Sequence, residues 1–97
     1  MQTQTKVSKR RSNIEIIADM LRVGENGAGK TEIMYTANMS YAQIQKYLAF
    51  LVGRGFIGKI EAGNPTVTYQ LTDSGLRLLT SINSVTDILG NEGKQLL

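Results

Sequence analysis

The 97-residue chain contains no cysteine and no histidine, and its only proline is Pro65. The lack of cysteine excludes a disulfide framework, a thiolate metal site and a sulfur nucleophile. The lack of histidine removes the usual zinc sites and imidazole acid–base catalysis. No apolar run approaches the roughly 20 residues of a membrane-spanning helix. The basic residues near the N-terminus have no apolar stretch behind them, unlike a secretory signal. These absences predict a cytoplasmic protein with no membrane partner, no metal and no cofactor. What remains is an apolar fraction of 41%, enough for one domain with one core.

Acidic residues are also missing from one region. No Asp or Glu lies between Glu32 and Glu61, while Lys46, Arg54 and Lys59 do. Four of the eleven basic side chains, Lys6, Lys9, Arg10 and Arg11, fall in the first eleven positions. From residue 12 onward, seven basic residues face eight acidic ones, a net charge of −1. The body is nearly neutral, and a local acid-free face matters more for binding than the total of +3.

The acid-free region holds the best-organised stretch, SYAQIQKYLAFLVGRGFI, from Ser40 to Ile57. Ser40 and Gln43 form a capping-box pattern. Ile44, Leu48, Leu51 and Val52 recur at helical spacing, and Gly53 and Gly55 supply the stop. Opposite that stripe lie Gln43, Lys46 and Ala49, with Gln45 on a flank and Tyr47 assigned to the core. Amides and lysines are groups that base edges and phosphates accept.

The flanking segments supply a scaffold. Residues 1–11 read as a disordered basic arm, with Lys9, Arg10 and Arg11 placed to follow phosphates or enter a minor groove. Ser12 and Glu15 cap a first helix over residues 12–23, with Ile14, Ile17, Ala18 and Leu21 inward. Residues 24–31, GENGAGKT, match the phosphate-loop pattern G-x-x-x-x-G-K-[ST] in full. A working phosphate loop joins a buried strand to a helix. Here an amphipathic helix precedes it, and the chain lacks the strands of a parallel sheet. The octet is therefore read as a turn, with no nucleotide partner and no enzyme activity. Residues 31–38 form a short second helix with Ile33, Met34 and Ala37 inward, ended by Asn38, with Met39 beneath the turn. Two short helices joined by a tight turn are a helix-turn-helix.

After the third helix, residues 56–71 read as a β-hairpin. Val67, Tyr69 and Leu71 alternate with Thr66, Thr68 and Gln70, and Gly63 and Asn64 mark the tip. This is the wing of a winged helix. Asn64 and Thr66 are its candidate backbone contacts, and Arg54 is a candidate phosphate contact beside the turn. Thr72 caps a last helix over residues 72–89, with Leu76 and Leu79 toward the domain. Leu78, Ile82, Val85 and Leu89 recur at spacings of 4, 3 and 4, the seam of a two-stranded coiled coil. Gly90 and Gly93 end it, leaving a frayed tail over 91–97.

The phrases RGFIGKI and TYQLTDSGLRLL resemble the winged-helix signature, and KTEIMYTANMSYAQIQKYLAFLVGRGFI is similar to the small archaeal winged-helix DNA-binding proteins typified by the Sulfolobus chromatin-associated family. The resemblance covers roughly residues 12–89. It implies a dimer held by paired C-terminal helices, with one recognition helix and one wing from each subunit on DNA. On that pattern Ser40, Tyr41, Gln43, Gln45 and Lys46 fall on the recognition helix and Asn64 at the wing tip.

The expected architecture is thus mainly α with a small β-hairpin. It is a winged helix-turn-helix over 12–73 with a dimerisation helix over 74–90. The expected function is a homodimeric, nucleoid-associated regulator that binds double-stranded DNA and inserts residues 40–52 into the major groove. The wing, 61–66, would touch the backbone. An architectural DNA binder and a protein-interaction module are the alternatives.

Overall fold

Ser12 opens the first helix, α1 (Asn13–Val23), through a complete capping box. Its hydroxyl accepts from Glu15 N at 3.1 Å, and the Glu15 carboxylate accepts from Ser12 N at 3.0 Å. The computed structural model describes residues 11–61 and 66–96, with side chains as far as residue 90. A 3₁₀ turn, Gly24–Asn26, follows α1. Then come α2 (Lys30–Thr36), α3 (Tyr41–Gly53), β1 (Ile57–Glu61), β2 (Val67–Leu71) and α4 (Asp73–Leu96), the last interrupted at Gly90. Among the described residues no helix is long and apolar enough to cross a membrane.

The turn between α2 and α3 is set by Asn38, which takes a left-handed φ of 56°. Asparagine tolerates that conformation better than most residues. Met39 N then donates back to Met34 O at 2.9 Å, and Met39 is buried beneath the turn. Ser40 starts α3 with a second complete capping box, shared with Gln43. At the other end of α3, Gly55 N donates to Val52 O at 3.1 Å and Phe56 N donates to Leu51 O at 2.9 Å. These two bonds form a Schellman motif, and Gly55 supplies its positive φ of 80°.

Every helix contributes to the core. Met20, Leu21, Ile33, Ile44, Leu51 and Ile57 are fully buried, and Leu79 and Ile82 bring α4 onto them. In α1 the buried set is Ile16, Ala18, Met20 and Leu21, while Ile14 and Ile17 only lean on the core. The expected stripe is too narrow because α1 is packed on two sides, by α4 and by α2 with the 3₁₀ turn.

β1 and β2 form an antiparallel pair with Ile57 opposite Leu71, Lys59 opposite Tyr69 and Glu61 opposite Val67. The sequence does not reveal the second edge. Ala28 bridges Tyr69 with two backbone hydrogen bonds of 3.0 and 2.8 Å, so β2 is paired on both sides. The wing is thereby tied to the loop between α1 and α2.

α4 is joined to the rest at a crowded point. Thr72 Oγ1 donates to Gly55 O at 2.6 Å and accepts from Gly75 N at 3.0 Å. A Cβ at Gly75 would overlap the Phe56 carbonyl oxygen and lie 2.6 Å from Leu71 Cδ1. We expect Gly75→Ala to destabilise the domain by about 3 kcal/mol, the upper range for forced overpacking against backbone. Gly53→Ala is the control. Nothing lies within 4 Å of a Cβ there, and it should be neutral or stabilising by up to about 1 kcal/mol. Urea denaturation of both variants checks the pair, and equal stabilities would show that α4 does not rest on Phe56.

Candidate nucleic-acid interface

α3 buries Ile44, Leu48 and Leu51, which turns Ala42, Lys46, Ala49 and Gly53 outward. These four exposed residues follow spacings of 4, 3 and 4, so they form one line along the helix. Three of them are small, and Lys46 stands out from the line. On the flank away from the wing, exposed Phe50 lies under the Arg54 guanidinium, 5.2 Å from ring centroid to Cζ. Tyr47 packs against the core, and its hydroxyl donates to Asn13 Oδ1 at 2.5 Å.

The flank toward the wing is more polar. Lys30, the first residue of α2, donates its ammonium to Gln45 Oε1. The same ammonium sits 5.1 Å from the centroid of the Tyr41 ring, which is 64% exposed. A cleft between α3 and the wing is lined by Lys30, Gln45, Ala49, Lys59 and Tyr69, among others. Lys59 holds Glu61 only loosely, at 3.6 Å with both side chains exposed. Such a pair contributes little and leaves Lys59 available to a stronger anion.

The residues singled out in the sequence thus have different fates. Tyr41, Gln45, Lys46 and Arg54 are exposed on or beside α3, and Thr66 is exposed where the chain enters β2. Ser40 is exposed but engaged in the capping box. Gln43 is half-buried, and its Oε1 accepts from Ser40 N at 3.1 Å. The oxygens of Gln43 and Gln45 each already accept one hydrogen bond within the protein, so neither is the free donor–acceptor pair expected to match adenine. Lys9, Arg10 and Asn64 lie outside the described residues.

Arg11 departs from its expected place in the arm. Its guanidinium donates to Asp19 at 2.6 Å and to the carbonyl of Asn38 at 2.9 Å. Asp19 also accepts from Arg22 at 2.9 Å, and Arg22 donates to Asn83 on α4 at 3.1 Å. The chain of contacts runs from the helix-turn-helix turn across α1 to α4. Sequence reasoning missed Lys30 and Lys59 as surface partners of α3. Lys59 was in view, since strand alternation puts it beside Tyr69 on the face of Ile57 and Leu71. Nothing local points Lys30 at Gln45.

α4 divides its apolar residues differently from the expected seam. Ile82 is 7% exposed and belongs to the protomer's own core, because α1 lies against it. Leu78 packs on that core as well, whereas Leu76 is 48% exposed. Beyond Ile82 the stripe is open, with Val85 and Leu89 exposed and Ile88 82% exposed. The octet GENGAGKT follows α1 directly, opens with the 3₁₀ turn and ends in the first two residues of the seven-residue α2. Gln70 donates its amide to the carbonyls of Gly24 and Glu25 at 3.2 and 2.8 Å. The loop is thus clasped by the wing strand.

Three helices with a tight turn and a hairpin packed behind the third define a winged helix-turn-helix domain. Residues 10–90 match the winged helix-turn-helix family, and the chain belongs to it. An uncharacterized protein of Methanocaldococcus jannaschii is 32% identical over 84 residues, covering 86% of this chain and 81% of that protein. A second uncharacterized protein of the same archaeon is 34% identical over 82 residues. The chain spans only 36% of that longer relative. Among solved structures, Sso10a-2, a DNA-binding protein from Sulfolobus solfataricus, superposes with a TM-score of 0.72 at 33% identity. The match covers 80% of this chain and 81% of Sso10a-2.

Removing Asp19 should cost more than removing either arginine, because it serves both. Arg11→Ala is expected to lower stability by about 1 kcal/mol for a partly buried, charge-assisted contact. Thermal melts of Arg11→Ala, Arg22→Ala and Asp19→Ala check the order. An Arg11→Ala melt identical to the parent would show that this ladder does not hold the turn.

Proposed function

We propose that this chain is a transcriptional regulator that binds double-stranded DNA as a homodimer, each protomer laying α3 in a major groove. The observation that carries this reading is the outward line Ala42, Lys46, Ala49 and Gly53 on a helix with no acidic residue. The major groove of B-DNA, about 12 Å wide, admits a helix, and small side chains let its backbone approach the base edges. Lys59 on one flank and Arg54 on the other are cations suited to the phosphates bordering that groove. Membership of the winged helix-turn-helix family and similarity to a protein described as DNA-binding support the same reading. The net charge of −1 beyond residue 11 favours reading of selected sites over uniform coating of DNA.

Homodimerisation rests on α4. Val85, Ile88 and Leu89 make an exposed apolar stripe that continues past the protomer's own core. A second copy of the same stripe is the simplest cover with two-fold symmetry.

Selection from random duplexes should return an enriched motif bound roughly 10³-fold more tightly than unrelated DNA. A library without enrichment would rule out base reading. Lys46→Ala should weaken binding to all duplexes alike and flatten the dependence of log K on log salt by about 0.9. Fluorescence anisotropy across a salt series measures both. For the dimer, Val85→Asp with Leu89→Asp should abolish the self-association that the parent shows in sedimentation equilibrium at high protein concentration, with helix content retained. A dimer mass that survives both changes would remove α4 from the interface.

A further inference from the structure

We infer that Lys30 is a positioning residue that decides which base α3 reads through Gln45. The inference rests on the base-reading role proposed above. Lys30 reaches from the start of α2 to the wing-side flank of α3, where its ammonium meets two side chains one helical turn apart. It donates to Gln45 Oε1 and rests against the face of Tyr41. The ring contact and the amide contact together keep the ammonium on that flank of α3.

The consequence lies in the chemistry of the amide. A free glutamine side chain offers one acceptor and one NH₂ donor group, the pair that matches N6 and N7 of adenine. An ammonium is a donor only, so it fixes the amide with its oxygen toward Lys30. The Nε2 group is then the end turned away from Lys30 and toward a partner outside the protein. A cation on the oxygen also polarises the amide and strengthens its N–H donors. Two N–H donors beside an oxygen that already faces a cation, where a second donor such as adenine N6–H would meet positive charge, match a base edge with two acceptors, the N7 and O6 of guanine. Lys30 therefore turns a residue type suited to adenine into a reader of guanine.

The contrast with Gln43 sharpens the assignment. Gln43 also has its oxygen engaged, but by the backbone N–H of Ser40. That restraint belongs to the helix start and cannot be released without losing the cap. The restraint on Gln45 comes from a side chain 15 residues away in sequence. It can be removed by one substitution while both capping boxes stay in place. Lys59 lines the same cleft, but its contact is with Glu61, and the cation on the Gln45 amide is Lys30.

The experiment is selection from random duplexes with the full chain and its variants. The parent should prefer guanine at one position that Gln45→Ala renders indifferent. Lys30→Met should shift that position alone toward adenine, by about tenfold in relative affinity. Lys30→Arg, which keeps a cation and its donors, should retain guanine. In the Gln45→Ala background, Lys30→Met should leave every base preference unchanged. Circular dichroism verifies that each variant folds, and Lys30→Ala runs the same comparison should the methionine variant not fold. A Lys30→Met motif identical to that of the parent, with affinity lowered evenly, would overturn the inference and make Lys30 a phosphate contact. Failure of the underlying reading looks different, since the parent itself would then return no motif or bind no DNA.

Discussion

The arrangement of this domain depends on the meeting of Phe56, Thr72 and Gly75. The Phe56 carbonyl accepts from Thr72 N at 3.2 Å and presses on Gly75, where no side chain fits. Thr72 bonds back to Gly55 and forward to Gly75 through one hydroxyl. The end of α3, the base of the wing and the start of α4 converge there. Helix ends leave backbone groups without intrahelical partners, and such groups need other bonds when water is excluded. Here the end of one helix and the beginning of another satisfy each other through Thr72. Any rotation of α3 relative to the wing or to α4 would break several of these bonds together. The outward line on α3 and the apolar stripe on α4 are thereby held in a fixed relation.

A second tie acts on the opposite edge of the wing. β2 is bonded to β1 on one side and to Ala28 on the other, and Gln70 grips the 3₁₀ turn that ends α1. The eight residues that match a phosphate loop letter by letter serve here as an anchor for the wing. What differs is context. A phosphate loop presents successive N–H groups at the start of a helix fed by a buried strand. In this chain the Ala28 N–H is spent on Tyr69, and the Gly27 N–H donates to Gly24 O at 3.1 Å.

Features set by local rules could be read from the sequence. Both capping boxes, the Asn38 turn, the buried stripe of α3 and the hairpin alternation all involve residues at most five apart or a simple period. Long-range contacts could not be read in the same way. Arg11 looks like one of four tail cations until Asp19, eight residues on, and Asn38, twenty-seven on, claim it. Lys30 looks like a loop lysine until α3 folds beside it. Met20 and Ile16 are buried because α1 is covered on two sides, a fact that a single-stripe reading cannot contain. The same effect moved Ile82 inward and left Leu76 out. A heptad pattern marks which residues share a helix face, but not whether that face meets its own domain or another.

The division of α4 bears on how a dimer would behave. Leu78, Leu79 and Ile82 are already committed to the protomer, so a seam built on this helix is left with Val85, Ile88 and Leu89 before the break at Gly90. Fully burying such a side chain contributes about 1.5–3 kcal/mol, and Val85 and Leu89 are already about half covered. Six such side chains, three from each protomer, would supply roughly 5–10 kcal/mol. Association itself costs an estimated 4–15 kcal/mol. The two are close enough that protomers joined only by this stripe would associate weakly. Two half-sites on one duplex change the balance, because the first protomer raises the effective concentration of the second beside it. In the proposed regulator, DNA binding and dimerisation would then be linked, each strengthening the other by mass action. A short open stripe therefore suits a protein that pairs on its site better than it suits one that is permanently paired.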